Sequence, residues 1–203
     1  MLELDHIAVA GETLGAATAH VEDCLGQPMG PGGQHAHFAT HNRLLGMEPA
    51  LYLEAIAIDP TVPRPPYARW FGLDAFRGAP RLDKWILRTD DLDAAIHALP
   101  MAGEAVALSR GNLRWSMAVP RDGMLPFDGL FPALIQWHSD TPPGLSLAKP
   151  ALSMSGLTVR HPEAEALRAL LDPYLDAPLV SFETGAPGLE ATLQSLGRTV
   201  TLR

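Results

Sequence analysis

Residues 4–17 read LDHIAVAGETLGAA and residues 82–95 read LDKWILRTDDLDAA, and the two segments align without a gap. Leu4 falls on Leu82, Asp5 on Asp83, Leu14 on Leu92, Ala16 on Ala94 and Ala17 on Ala95. A chain that repeats itself restricts its own fold, because each copy must be the same supersecondary unit and the copies must bury their apolar faces against one another.

The first copy opens on a short apolar strand, Leu4 to Ala10. Thr13 is placed to cap a helix over Leu14 to Leu25, and Gly26 to stop it. Gln27 to Ala39, rich in Gly and Pro, reads as loop. His41 to Met47 and Leu51 to Ile58 are apolar runs separated by Glu48-Pro49, a hairpin signal. The second copy follows the same order: strand Trp85 to Arg88, helix Asp91 to Leu99, then strands Ala105 to Ser109, Arg114 to Val119 and Ala133 to Trp137. A third unit is shorter, with strand Leu152 to Val159, a helix over Glu163 to Leu171 behind Pro162, and strands Leu179 to Thr184 and Thr199 to Leu202. Residues 187–196 fit a short helix or a strand equally. The expected fold is α+β: two tandem βαβββ modules (1–58 and 81–138), joined by a connector (59–80), with a C-terminal βαββ extension (139–203). The connector carries five prolines and four aromatic residues, including Trp70 and Phe71. Its length suits a pocket wall or lid as well as it suits a stiff linker.

With 47% hydrophobic and 19% charged residues the chain can bury a sizeable core. The net charge of -8 and the scattered Lys and Arg leave no basic stripe for nucleic acid. Cys24 is the only cysteine, so no intrachain disulfide forms. No apolar run approaches the roughly 20 residues of a membrane helix, and no signal peptide is visible. A cytoplasmic protein is expected.

LDHIAV, the THN of residues 40–42, YLEAIAIDP (residues 52–60), WFGLD and RTDDLDAA together resemble the glyoxalase-like branch of the vicinal oxygen chelate superfamily, which includes bleomycin resistance proteins, dioxygenases and lyases. The resemblance implies that the modules form a curved-sheet cup with a divalent metal (Zn, Mn, Fe or Ni) at its base, each module giving one ligand from its first strand and one from its last. His6 and Glu54 match in the first module. In the second the matching columns hold Lys84 and Gln136. A charged ammonium has no lone pair and repels a cation, so half of the metal site is missing. His35 or His41 could complete a two-His-one-carboxylate set, a homodimer could build a composite site, or Lys84 could pair with Glu54.

The resemblance makes His6 and Glu54 the metal-ligand candidates, with Glu54 and His41 as catalytic groups. Glu54 is the most telling, since a carboxylate within an apolar strand is costly unless paired. Substrate contacts fall to His35, Asn42, Trp70, Phe71, Arg114 and Gln136, with Arg114 as a carboxylate or phosphate anchor. Two functions compete: a metal-assisted lyase, isomerase or dioxygenase acting on a small oxygen-bearing molecule, and a metal-free small-molecule binding protein of the resistance or sensing kind.

Overall fold

The computed structural model describes residues 1–203. Strand β1, Leu2–Ala10, is buried throughout except at Glu3. A strand covered on both faces needs apolar side chains on both, and LDHIAVA supplies them with two exceptions, Asp5 and His6. Helix α1, Leu14–Leu25, begins where the Thr13 hydroxyl accepts the Ala16 N–H at 3.1 Å and ends at Gly26 in the left-handed conformation (φ 70). Its Ala17, Val21 and Leu25, at helical spacing, form the stripe buried against the sheet.

Three strands follow: β2 (Gly32–His35), β3 (Thr40–Met47) and β4 (Leu51–Ile58). β2 corrects the expectation of a plain loop before residue 40. Its glycines give it no strand propensity of its own, but it pairs antiparallel with β3, Gly33 opposite Asn42 and His35 opposite Thr40. The same order then recurs as β5 (Arg81–Arg88), α2 (Leu92–Ala98), β6 (Glu104–Arg110), β7 (Leu113–Val119) and β8 (Ala133–Trp137). Asp91 caps α2 by accepting the Ala94 N–H at 2.9 Å.

The eight strands hydrogen-bond in the order β2-β3-β4-β1-β5-β8-β7-β6, with β1 and β5 antiparallel at the centre. The two ends of this path bend back toward each other: Arg110, the last residue of β6, reaches His35 on β2 and Asn42 on β3. The sheet is thus curved and nearly closed.

Beyond the short helix α3 (Pro143–Ser146) lie β9 (Leu152–His161), α4 (Ala164–Leu171), the two-residue β10 (Leu175–Asp176), β11 (Val180–Thr184), β12 (Gly188–Ser195) and β13 (Arg198–Leu202). β10 adds parallel to β1, and the others form a second sheet, β11-β9-β12-β13. Residues 187–196 are strand, not helix: Leu189, Ala191 and Leu193 alternate inward against Val159, Leu157 and Met154 of β9. The C-terminal part is therefore richer in strands than the βαββ expectation. Trp85, fully buried, ties the sheets together, donating its indole N–H to the Leu130 carbonyl at 2.7 Å with its ring 6.1 Å from Phe182 of β11. One continuous apolar core results. The class is mixed α+β, rich in sheet, and no helix is long and apolar enough to cross a membrane.

Candidate functional site

Strand alternation places the polar residues of the interior. On β4, Tyr52, Glu54 and Ile56 share one face, and the β3 residues opposite them in register include Asn42 and Leu44. β1 runs parallel on the other side of β4, with His6 beside Tyr52. A register shift between Leu4 and His6 in the β1–β5 ladder leaves Asp5 without a pairing partner, and the Asp5 and His6 side chains meet each other.

The result is a chain of buried polar groups. Asp5, His6 and Glu54 are 3%, 4% and 5% exposed. Trp137 donates its indole N–H to Asp5 Oδ2 at 3.0 Å, and Asp5 Oδ1 accepts from His6 Nδ1 at 2.6 Å. His6 Nε2 lies 3.6 Å from Glu54 Oε2 and 3.5 Å from the Tyr52 hydroxyl. Glu54 Oε1 accepts from Asn42 Nδ2 at 2.6 Å. Asn42 Oδ1 in turn accepts from the Gly33 N–H at 2.8 Å and from Arg110 Nη1 at 3.0 Å.

These groups border a small pocket that opens to solvent. Its other walls are aromatic and apolar. Trp70 and Phe71, from the 59–80 connector, stack with centroids 4.9 Å apart, and Trp115 lies 5.6 Å from Trp137. Phe71 holds a left-handed backbone (φ 60), an arrangement that costs a bulky residue about 1–2 kcal/mol and that the surrounding packing must sustain.

Charge is distributed unevenly among the titratable groups. Burial acts to lower the His6 pKa, but the hydrogen bonds and charges of Asp5 and Glu54 overcome it and raise the pKa above its ordinary 6.5. Burial likewise acts to raise Glu54, and His6 together with the Asn42 hydrogen bond holds it below its ordinary value. The two carboxylates thus favour the imidazolium form of His6. Burial, aided by the Arg110 charge, pushes His35 down to about 4. His35 is therefore neutral near pH 7. Its Nδ1–H donates to Thr40 Oγ1 at 3.0 Å, which leaves Nε2 as an acceptor 3.2 Å from Arg110 Nη1. Burial also carries the Tyr52 hydroxyl well above 10, so it stays protonated where it stacks on the His6 ring at 4.2 Å.

Six of the expected residues come together here: His6, Glu54, His35, Asn42, Trp70 and Phe71. Three do not. His41 sits on the opposite face of β3 from Asn42, with Nδ1 3.9 Å from Asp59 Oδ2. Gln136 turns away from the pocket, since its β8 neighbours Ile135 and Trp137 take the inward positions; its amide instead bonds the Asp90 carbonyl and the Leu92 N–H at the start of α2. Arg114 is exposed because Trp115 points inward from β7. Lys84 pairs with its neighbour Asp83 rather than with Glu54. The residues that the sequence did not single out for the site include Asp5, Tyr52, Arg110, Trp115 and Trp137.

The donor set does not suit a divalent metal. His6 Nδ1 is committed to Asp5, and only Nε2 and Glu54 Oε2 remain adjacent. His35, the nearest further imidazole, presents its lone pair to the guanidinium of Arg110. No three His, Cys, Asp or Glu side chains are grouped for an ion, against the roughly three protein ligands that a retained metal needs.

A nearly closed curved sheet with a buried polar cluster at a pocket wall defines the class: a sheet-rich α+β protein. The chain belongs to the glyoxalase-like domain family, whose model matches residues 4–175, and so to the vicinal oxygen chelate superfamily. No curated protein matches it. A hypothetical protein from Staphylococcus aureus is similar in fold, with TM-score 0.58 and 15% identity over 93% of this chain and 88% of that one. Methylmalonyl-CoA epimerase from Mycobacterium tuberculosis is 20% identical over 68% of this chain and 88% of its own, with TM-score 0.44. The Streptomyces coelicolor enzyme, in complex with 2-nitronate-propionyl-CoA, is 16% identical over 68% of this chain and 100% of its own, with TM-score 0.46.

Proposed function

We propose that the two strand–helix–three-strand halves act as paired modules of one cup, and that the cup is the active site of a small-molecule isomerase or lyase working by proton transfer beside a carbonyl group. One observation carries this reading: His6 is held between Asp5 and Glu54 at the wall of a pocket, with Nε2 and Glu54 Oε2 side by side. A substrate carbonyl oxygen accepting the His6 Nε2–H would draw that proton away from Glu54. Glu54 would then lose part of what keeps its pKa low, and burial, which acts to raise it, would make it a competent base. The α-proton passes to the Glu54 carboxylate, the C–H electrons move toward the carbonyl oxygen, and the imidazolium stabilises the enolate. Asp5 keeps Nδ1 protonated and the ring in place. Nothing in this scheme routes through a metal.

Deuterium uptake tests it. Incubation with aryl ketones and aryl 1,3-dicarbonyl compounds in D2O, followed by NMR, should show enzyme-dependent exchange at the α-carbon. Glu54→Gln should slow that exchange by about 10²–10⁴-fold. Binding without exchange would overturn the enzyme reading in favour of a resistance- or sensing-type binding protein, which the aromatic walls also suit.

A further inference from the structure

We infer that Arg110 is an anion anchor, and that the pocket selects aromatic monocarboxylates over their uncharged analogues. The inference rests on the small-molecule reading of the same pocket and adds the class of ligand.

Arg110 ends β6 and leans across the gap between the two edges of the curved sheet. Its Nη1 is occupied on both sides, by Asn42 Oδ1 at 3.0 Å and His35 Nε2 at 3.2 Å. Those two contacts fix the plane of the guanidinium. Its Nε–H and Nη2–H have no protein partner and it pairs with no carboxylate, yet it lines the pocket. A guanidinium immobilised through one nitrogen with its remaining donors free is prepared for the bidentate fork that carboxylates accept. The chain makes room for this arrangement: a Cβ on Gly33 would stand 2.6 Å from Arg110 Cδ. Any other residue there would displace the arginine stem.

The carboxylates of the site find their partners without Arg110: Asp5 and Glu54 both contact His6, and Glu54 also accepts from Asn42. Arg110 is the cation that touches no carboxylate. Trp70, Phe71 and Trp115 give the pocket lining an aromatic character that suits an aryl ring.

Titration calorimetry with phenylacetate and benzoate, each against its amide, provides the test. Wild type should bind each acid at least about tenfold more tightly than the amide, and Arg110→Gln should collapse that ratio to near one. In that variant the Gly33 N–H still holds Asn42. Arg110→Lys should keep part of the preference, as a point charge without the fork. Equal binding of acid and amide to wild type, a ratio unchanged in Arg110→Gln, or no binding of either acid would overturn the inference. These outcomes are separate from deuterium exchange: acid selectivity without exchange would sink the proton-transfer reading alone.

Discussion

Replacing His6 with alanine should cost about 3–5 kcal/mol of stability, read as a fall in melting temperature of about 6–20 °C for a domain of this size. Its removal leaves Asp5 and Glu54 buried without their shared cation and strips the ring from Tyr52, on which it stacks at 4.2 Å. The size of the loss comes mainly from the two uncompensated carboxylates and less from the contacts themselves. Two consequences distinguish this from a packing defect. The deficit should shrink as the pH falls, because protonating one carboxylate relieves the site. The double variant His6→Ala/Glu54→Gln should be more stable than His6→Ala alone by about 1–3 kcal/mol, since the residues share one network. Chemical denaturation of the four proteins closes this cycle, and simple additivity would contradict the ion-pair account.

Stability should also pass through a maximum near pH 6.5, with one histidine responsible for each side. His35 has its pKa depressed to about 4, so between pH 6.5 and about 4 the unfolded chain binds a proton that the folded chain refuses. Stability therefore falls with acidification over that window, by about 3 kcal/mol for this group. His6 has its pKa raised, so its contribution is fully present below 6.5 and is lost as the pH climbs through the folded value. Glu54, with its pKa lowered, adds stability above its ordinary 4.5 and loses it at still lower pH, steepening the acid limb. In urea titrations across pH 4–9, His35→Gln should flatten the acid side down to about pH 4.5 and leave the alkaline side in place. A monotonic profile would count against the assignment of opposite shifts to the two residues.

Much of the fold was legible in the sequence because it rests on local signals. Thr13 and Gly26 mark the ends of α1 by capping chemistry, and YLEAIAI declares which of its side chains share a face. His6 and Glu54 could be paired through the family resemblance that their strands carry. Strand phase was harder. Gln136 and Arg114 each lie one residue from a true pocket wall, Trp137 and Trp115, and a slip of one turns a strand residue to the opposite face. His41 fails in the same way beside Asn42. Asp5 was hidden for a different reason: alternation puts it opposite His6, and only the register shift in β1 brings the two side chains together. β2 was invisible because its stability comes from pairing with β3, not from GGQH. Arg110 had no signal at all, since its place in the site depends on the sheet curving until β6 meets β2.

The central claim is that His6 carries its charge inside the pocket, clamped between two carboxylates. Imidazole resonances of 15N-histidine-labelled protein, followed from pH 5 to 10 and assigned with His6→Gln, measure it directly. The account predicts that His6 titrates above 6.5, and that Asp5→Asn lowers its midpoint. A His6 ring already neutral at pH 6.5, or one whose titration ignores Asp5, would contradict it.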